Sequence, residues 1–592
     1  MSAAAAALRA IPGVRAASGY RRSWLTKDVV AGVVLSTLLV PQGMAYAELA
    51  GLPPITGLYT SIACLLAYAV FGPSRILVLG PDSSLGPMIA AAILPLVVAG
   101  KDPARAVALA SMLAIMVAAL MLIGAAGRLG FIADLLSKPT MIGYMNGLAL
   151  TILVGQLPKL FGFKVSANGL ISEISGFFHG LAHGEAVGAA AAVGILGVVV
   201  VLALQKWLPK APAVLIMVLL TIGATSVFNL AEHGVSLVGT LPSGFPPLTI
   251  PDVSWSDIGA LAGAAAGIAL VSLADTISTA SAFAARTKQE VSGTKEMVGI
   301  GAANLAAGFL QGFPVSTSGS RTAVAERSGA RTQLTGVVGA VMITVMIVAV
   351  PGLLRNLPQP ALAAVVIAAS VSLADIPGTL RLWHQRRTEF LLSITAFLGV
   401  ALLGVLPGIA IAVVLSILNV FRHAWQPAES ELGRAPGEHG YRDIAADPVV
   451  EHLPGLLIYR FAAPLFFANA ATFRDHVSRL SRSEPEPAWI LIAAESITDV
   501  DVTAADMLED LDKELASRGI RLVWAELQEG VREKIERYEL PLALGPDRRY
   551  PSINSAVDAF RAQTGADWCP APAPPAQEQP DETTSESKSK SA

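Results

Sequence analysis

Asp275 lies inside an apolar run, LVSLADTISTASAF (270–283), where a charged side chain has a high cost. A carboxylate at the centre of a membrane helix costs at least ~2.5–3.5 kcal/mol on insertion scales. At helical spacing its face carries more oxygen: Ser272 three residues before it, Ser278 three after and Thr279 four after. Such a stripe suits a proton or a hard cation such as Na⁺, which takes carboxylate, hydroxyl and carbonyl ligands. The competing reading is a buried structural acid, neutral or paired with an arginine.

Arg321 offers the opposite chemistry. It closes the segment GFPVSTSGSRT (312–322), which interrupts another apolar region with Gly, Pro and Ser. A half-helix after that break would turn its free amides and positive end toward an anion, beside the guanidinium. Ser316, Thr317, Ser318 and Ser320 add hydroxyl donors, and Ser318, Gly319, Ser320 and Arg321 are the expected anion-site residues of this break. The alternative is an arginine at a cytoplasmic helix end, but Arg327 and Arg331 already supply that flank. A second break, GPDSSLGPM (80–88), has Ser83, Ser84 and Gly86 ahead of another short helix. Asp82 would repel an anion there, so it is expected to point away or to cap a helix. Pro41 and Gln42 should kink the first crossing, and Gln42 can donate amide hydrogens. Tyr46 and Glu48 read equally as packing or interface residues.

The elements that must position these residues are membrane helices. Of 592 residues 53% are hydrophobic and only 15% charged, against about 25% charged for a soluble protein. Apolar runs able to cross about 30 Å of hydrocarbon occur at 27–46, 54–71, 104–126, 141–160, 186–205 and 211–229. Others occur at 256–284, 295–312, 332–350, 360–374, 388–405 and 406–423. With the broken segments 82–99 and 315–328 the expectation is fourteen crossings, seven per half. An odd number per half makes an inverted repeat, and irregular backbone at membrane depth is tolerated only where protein or a wet cavity covers it. Matched breaks in two such halves mark a transporter's substrate site. The connection 230–255 lacks Lys and Arg, whereas most connections expected inside carry them, so both termini are expected in the cytoplasm.

Residues 1–25 read as a cytoplasmic leader and 26–425 as the membrane domain. Beyond it, strand-like 455–461, 489–497 and 521–527 alternate with helix-like 468–481, 503–518 and 528–538, which predicts a small α/β domain over 440–565. The Pro-, Ser- and Glu-rich tail 566–592 cannot bury a core and is expected to be disordered. In SITDVDVTAADM (496–507) Thr503 is expected at a helix N-cap, with phosphorylation as the regulatory alternative. Cys64 and Cys569 cannot build a disulfide framework, no metal-ligand spacing occurs, and a net charge of −3 argues against nucleic acid. No catalytic triad, phosphate loop or paired catalytic carboxylates appear, so an enzyme is not expected.

VPQGMAYAELAGLPPITGLYTS, the GPDSS break, the run 301–336 and FFANA (466–470) closely resemble the sulfate permease (SulP) family, the bacterial branch of the solute carrier 26 anion transporters. The resemblance covers about 24–560. It implies an α-helical membrane fold of 14 segments in a 7+7 inverted repeat, split into core and gate domains, with a cytoplasmic STAS domain. It places the anion between half-helices three and ten, with Arg321 and Ser320 at the family's contact positions. It matches Asp275 to the acidic residue of segment eight, and the pair Asp275 and Thr279 looks like the Na⁺ ligands of bicarbonate-transporting members. The STAS phosphorylation loop departs from the family pattern, since only Thr503 remains.

The expected function is secondary active transport of an inorganic or small carboxylate anion by an elevator-like motion, with sulfate and H⁺ as the default. Bicarbonate with Na⁺ as coupling ion is the runner-up, and a dicarboxylate is a third substrate. A membrane-tethered STAS scaffold or sensor is the alternative of another class. The expected setting is the cell (inner) membrane, in lipid, as a homodimer.

Overall fold

The computed structural model describes residues 11–97, 102–135, 137–165, 169–208, 211–242, 244–287, 290–434, 440–447, 450–538 and 545–566. The start of the expected leader and the tail beyond Ala566 lie outside the described residues. The chain forms two compact units, one ending at Ile417 and the other beginning at Leu418.

In the first unit α1 (Pro12–Ser18) precedes α2 (Leu25–Leu49) and α3 (Pro54–Phe71). A two-residue strand, β1 (Leu79–Gly80), then leads into the short α4 (Gly86–Ile93). The half closes with α5 (Pro103–Ala126), α6 (Lys138–Leu160), α7 (Leu170–Ala182), α8 (Gly188–Trp207) and α9 (Ala213–Val227). The second half starts with α10 (Trp255–Thr287) and α11 (Gly293–Phe309) and breaks in the same way, into β2 (Ser316–Thr317) and α12 (Gly319–Arg327). It continues with α13 (Leu334–Ala349), α14 (Gln359–Leu373), α15 (Ile376–Gln385), α16 (Arg387–Leu403) and α17 (Val405–Trp425).

Each expected span coincides with one of these helices, because only long apolar runs can cover the hydrocarbon with every backbone bond made internally. Helices α7 and α15 are additional. They are too short to cross, and each exposes one apolar face: Ile171, Ile174, Phe178 and Leu181 on α7, and Ile376, Leu380 and Trp383 on α15. That pattern suits a helix lying along a membrane surface. Close crossings depend on glycine. A Cβ on Gly57 would lie 1.9 Å from the Gly43 carbonyl oxygen, and one on Gly143 would lie 1.9 Å from that of Ser393. Outward-facing Leu196, Val199, Leu219, Leu220, Val341 and Val345 stay exposed, as a lipid-facing surface requires.

One buried acid ties the halves together. Asp28 accepts hydrogen bonds from the backbone N–H of Arg331 (2.6 Å) and Thr332 (3.1 Å), and from the hydroxyls of Thr332 (2.7 Å) and Tyr20 (3.2 Å). It therefore anchors the start of α2 to the loop after α12.

The second unit is a six-stranded sheet in the order β4-β3-β5-β6-β7-β8. Its strands are β3 (Glu429–Gly433), β4 (Arg442–Asp443), β5 (Leu456–Phe461), β6 (Trp489–Ala493), β7 (Arg521–Ala525) and β8 (Arg549–Tyr550). The last four pair in parallel, while β3 runs antiparallel to β5. Helices α18 (Ala470–Leu480), α19 (Val502–Ser517) and α20 (Glu529–Arg537) flank one apolar core, and α21 (Ile553–Thr564) covers another. The expected domain start at 440 is corrected. Glu429 pairs with Phe461 and Leu432 with Ile458, so the sheet already begins at β3. That strand is charged and short, which hid it from pattern reading.

A candidate anion site between the two broken segments

The two breaks pair with each other. β1 and β2 are antiparallel, with Leu79 opposite Thr317 and Gly80 opposite Ser316. Ser318 N–H donates to the Val78 carbonyl (3.1 Å), and Val78 N–H donates to Thr322 Oγ1 (3.1 Å). Pro81 favours an extended backbone at Gly80. Both half-helices start just past this ribbon, so first-turn amides that lack intrahelical acceptors lie beside it.

Polar side chains from neighbouring helices hold the second break, as buried backbone groups require. Ser272 donates to the Val315 carbonyl (2.9 Å), and the hydroxyls of Thr276 and Thr317 are 2.8 Å apart. Val315 N–H donates to Asn304 Oδ1 (3.0 Å), and Phe313 N–H donates to Thr60 Oγ1 (3.2 Å). Ser111 donates to the Gly312 carbonyl (3.0 Å). Sequence reasoning missed Thr60, Thr276 and Asn304. A lone Asn within the apolar run of α11 was the one signal available.

A cavity of about 1110 Å³ opens beside the ribbon. Gln42, Ser83, Ser84, Ser318, Gly319, Ser320 and Arg321 of the expected anion site line it, together with Asp275 and Thr279 of the expected cation site. Tyr46, Ser278 and Asp82 line it as well. Three expectations are corrected. Gly86 sits at the start of α4 under Leu49, whose Cδ2 would be 2.8 Å from an added Cβ, and it is not part of the lining. Ser272 is fully buried with its hydroxyl committed to Val315, so it supports the break and does not face the cavity. Asp82 does not point away. Its Oδ2 accepts from Ser84 N–H (3.0 Å) and Ser84 Oγ (2.6 Å), and its Oδ1 lies 3.7 Å from Arg321 Nη2.

Arg321 is the central feature. Its side chain is 1% exposed, and none of its three guanidinium nitrogens has a hydrogen-bond partner. A buried guanidinium without hydrogen bonds is costly; here the Asp82 carboxylate lies at ion-pair distance, and both residues belong to the lining of the cavity. Gly80 makes the space, since a Cβ there would lie 2.7 Å from Arg321 Nη1. Ser318 caps α12 by accepting from Arg321 N–H (3.5 Å), and its hydroxyl is 3.1 Å from that of Ser320. Ser84 Oγ also lies 3.2 Å from Asp275 Oδ2, so the turn of the first break touches the carboxylate of α10. The lining thus combines a cation, hydroxyl groups and two carboxylates, Asp82 and Asp275, which suits an anion and an accompanying cation.

In the second unit the expected N-cap at Thr503 is corrected. Asp501 caps α19, accepting from Ala504 N–H (2.8 Å) and Phe467 N–H (2.9 Å), while Thr503 is exposed in the first turn. Both residue types cap well, and Asp501 precedes the helix. The hydrogen bond from Lys534 (2.6 Å) holds the Asp499 carboxyl below its usual range.

The model of the sulfate permease family matches residues 25–396, and that of the STAS domain matches 447–556. A Mycobacterium tuberculosis protein named "Probable sulfate transporter" is 40% identical over 551 residues, spanning 93% of this chain and 98% of its own. "Sulfate transporter 1.1" of Arabidopsis thaliana is 28% identical over 93% of this chain and 89% of its own. Among solved structures, the murine solute carrier 26 member A9 anion transporter in the inward-facing state superposes with TM-score 0.86 at 21% identity, covering 95% of each chain. The transmembrane domain of a cyanobacterial bicarbonate transporter superposes with TM-score 0.58 at 20% identity, over 67% of this chain and 98% of that one.

Proposed function

This chain belongs to the sulfate permease family, and from that premise we propose that it is a secondary active transporter that moves sulfate together with H⁺. It is a multi-pass membrane transporter of small anions. The finer reading rests on one observation above all: the buried Arg321 guanidinium, without a hydrogen bond, in the first turn of a half-helix that lines a cavity together with hydroxyl-bearing residues. Ser83, Ser318 and Ser320, with Gln42, would complete the shell of a tetrahedral oxyanion by donating hydrogen bonds to its oxygens, while Ser84, whose hydroxyl donates to Asp82, would hold that carboxylate in place. Asp275 would carry the accompanying proton. The lining reaches Gln205, Pro212 and Arg327, at helix ends expected on the cytoplasmic side, which supports an inward-open state of an elevator-like cycle. The setting we propose is a homodimer in the cell (inner) membrane, embedded in lipid, with both termini cytoplasmic.

Bicarbonate with Na⁺ is the second reading. Thr279 shares the cavity with Asp275 one helical turn away, so a carboxylate and a hydroxyl could ligate a hard cation. A dicarboxylate is the third substrate considered. The test is tracer uptake into proteoliposomes with pH and Na⁺ gradients imposed independently. Sulfate accumulation driven by the pH gradient alone supports the first reading, and accumulation of bicarbonate driven by Na⁺ alone supports the second. Asp275→Asn is expected to abolish gradient-driven accumulation while the protein stays folded and monodisperse, and unchanged accumulation would remove Asp275 from the coupling role. Absence of flux for every anion, with a partner captured by the second unit, would favour the scaffold reading.

A further inference from the structure

We propose that Asp82 is an internal counterion for Arg321, a carboxylate that competes with the transported anion for the guanidinium and so sets how readily the site releases its cargo. The inference rests on the anion-site reading above and gives a role to a residue that charge reasoning had excluded from the site.

The geometry separates this pair from a structural ion pair. Two other part-buried Arg–Asp pairs, each with a carboxylate at most 10% exposed, are hydrogen-bonded: Arg105 reaches Asp257 at 2.6 Å and Arg548 reaches Asp512 at 2.5 Å. Asp82 Oδ1 instead stops 3.7 Å from Arg321 Nη2, beyond hydrogen-bond reach yet well within Coulombic range. The buried guanidinium nitrogens therefore make no hydrogen bond, to Asp82 or to any other group among the described residues. The carboxylate is held by its own turn, through the amide and hydroxyl of Ser84. It can thus offset the positive charge without using the donors that an anion would need.

A carrier must release what it binds. A bare buried guanidinium flanked by half-helix amides would hold an oxyanion tightly, because low dielectric strengthens every such contact. A fixed negative charge beside it weakens the ground-state complex and speeds dissociation. The other charged or titratable groups facing Asp82 sit on different elements. Asp275 of α10 is linked to it through Ser84 Oγ, Tyr46 of α2 lines the same wall, and Arg327 lies toward the far end of α12. Arg321 is the cation whose guanidinium reaches salt-bridge distance of Asp82.

The sign of the effect distinguishes this role from a structural one. The full-length chain is reconstituted in nanodiscs, and equilibrium binding of radiolabelled sulfate is measured at one fixed pH for wild type, Asp82→Asn and Asp82→Ser. Serine keeps a side-chain oxygen for the turn, so it serves if the asparagine variant does not fold. The expected result is binding at least about tenfold tighter in either variant, with KM and maximal uptake rate both lowered in proteoliposomes because release becomes slower. Weaker or unchanged binding in a folded variant overturns the counterion role while leaving the anion site in place. If wild type binds none of sulfate, bicarbonate or fumarate, the anion-site reading itself fails and the counterion role falls with it.

Discussion

In the first broken segment a carboxylate, Asp82, follows the ribbon strand. In the second a guanidinium, Arg321, follows the strand that pairs with it. The backbone plan is similar in both, two extended residues followed by a half-helix, but five residues including a turn intervene in the first break and only Ser318 in the second. The supports differ. Side chains from α3, α5, α10 and α11 hold the second break at Phe313, Val315, Thr317 and Gly312. The first is held by its partner, with Thr322 receiving Val78 N–H, by Cys64 Sγ at the Leu79 carbonyl and Gln333 at the Leu77 carbonyl, and by the Asp82–Ser84 turn. The inverted repeat thus supplies a common frame on which opposite charges were placed, and the cationic half is the more firmly anchored. A site that must attract an anion and later release it needs its attractor rigid, whereas the moderating charge needs only to be near.

Removing the attractor tests this contrast most severely. Arg321→Ala is expected to weaken sulfate binding about a hundredfold, since charge-assisted hydrogen bonds contribute roughly 1.5–3 kcal/mol each and 1.4 kcal/mol is tenfold. Equilibrium binding in detergent measures it, and unaltered affinity would remove Arg321 from the site. The next effect concerns anchoring. Asn304→Leu keeps the number and branching of side-chain heavy atoms but strips the acceptor from Val315 N–H inside a fully buried environment, which should cost about 1–3 kcal/mol. A lower thermal unfolding midpoint is expected. An unchanged midpoint would mean that the second break is no better supported than the first.

The helices were legible because hydrocarbon thickness imposes long apolar runs, and polar intruders such as Asp275 and Arg321 stand out against them. The ribbon was not legible, since Leu79 and Gly80 pair with residues more than two hundred positions away and two-residue strands carry no period. Asp82 was misplaced because its repulsion of an anion was weighed without the Arg321 charge beside it. Ser272 shares a helical face with Asp275, but a hydroxyl can serve a backbone carbonyl as readily as an ion, and only the position of Val315 decides between them. Gly86 was read as site backbone, yet it gives room to Leu49.

Gly80 gives the smallest and most local test. Its backbone is extended in β1, so alanine brings no conformational strain. The added methyl would sit 2.7 Å from Arg321 Nη1, 3.4 Å from Cζ and 3.6 Å from Nη2, and would touch the far end of a flexible side chain. The guanidinium would yield before the ribbon does, shifting by a fraction of an ångström to about one. Gly80→Ala should therefore weaken sulfate binding several-fold, as misplacement of a charged donor does, and leave the thermal midpoint where it was. The opposing position, Ser316, already carries a buried side chain within the same register, so Ser316→Ala should change affinity less. If Gly80→Ala lowered stability and spared affinity, glycine would be serving the ribbon rather than the guanidinium. The first break would then contribute to the site only through its turn, and the proposed facing of Asp82 and Arg321 would lose its geometric support.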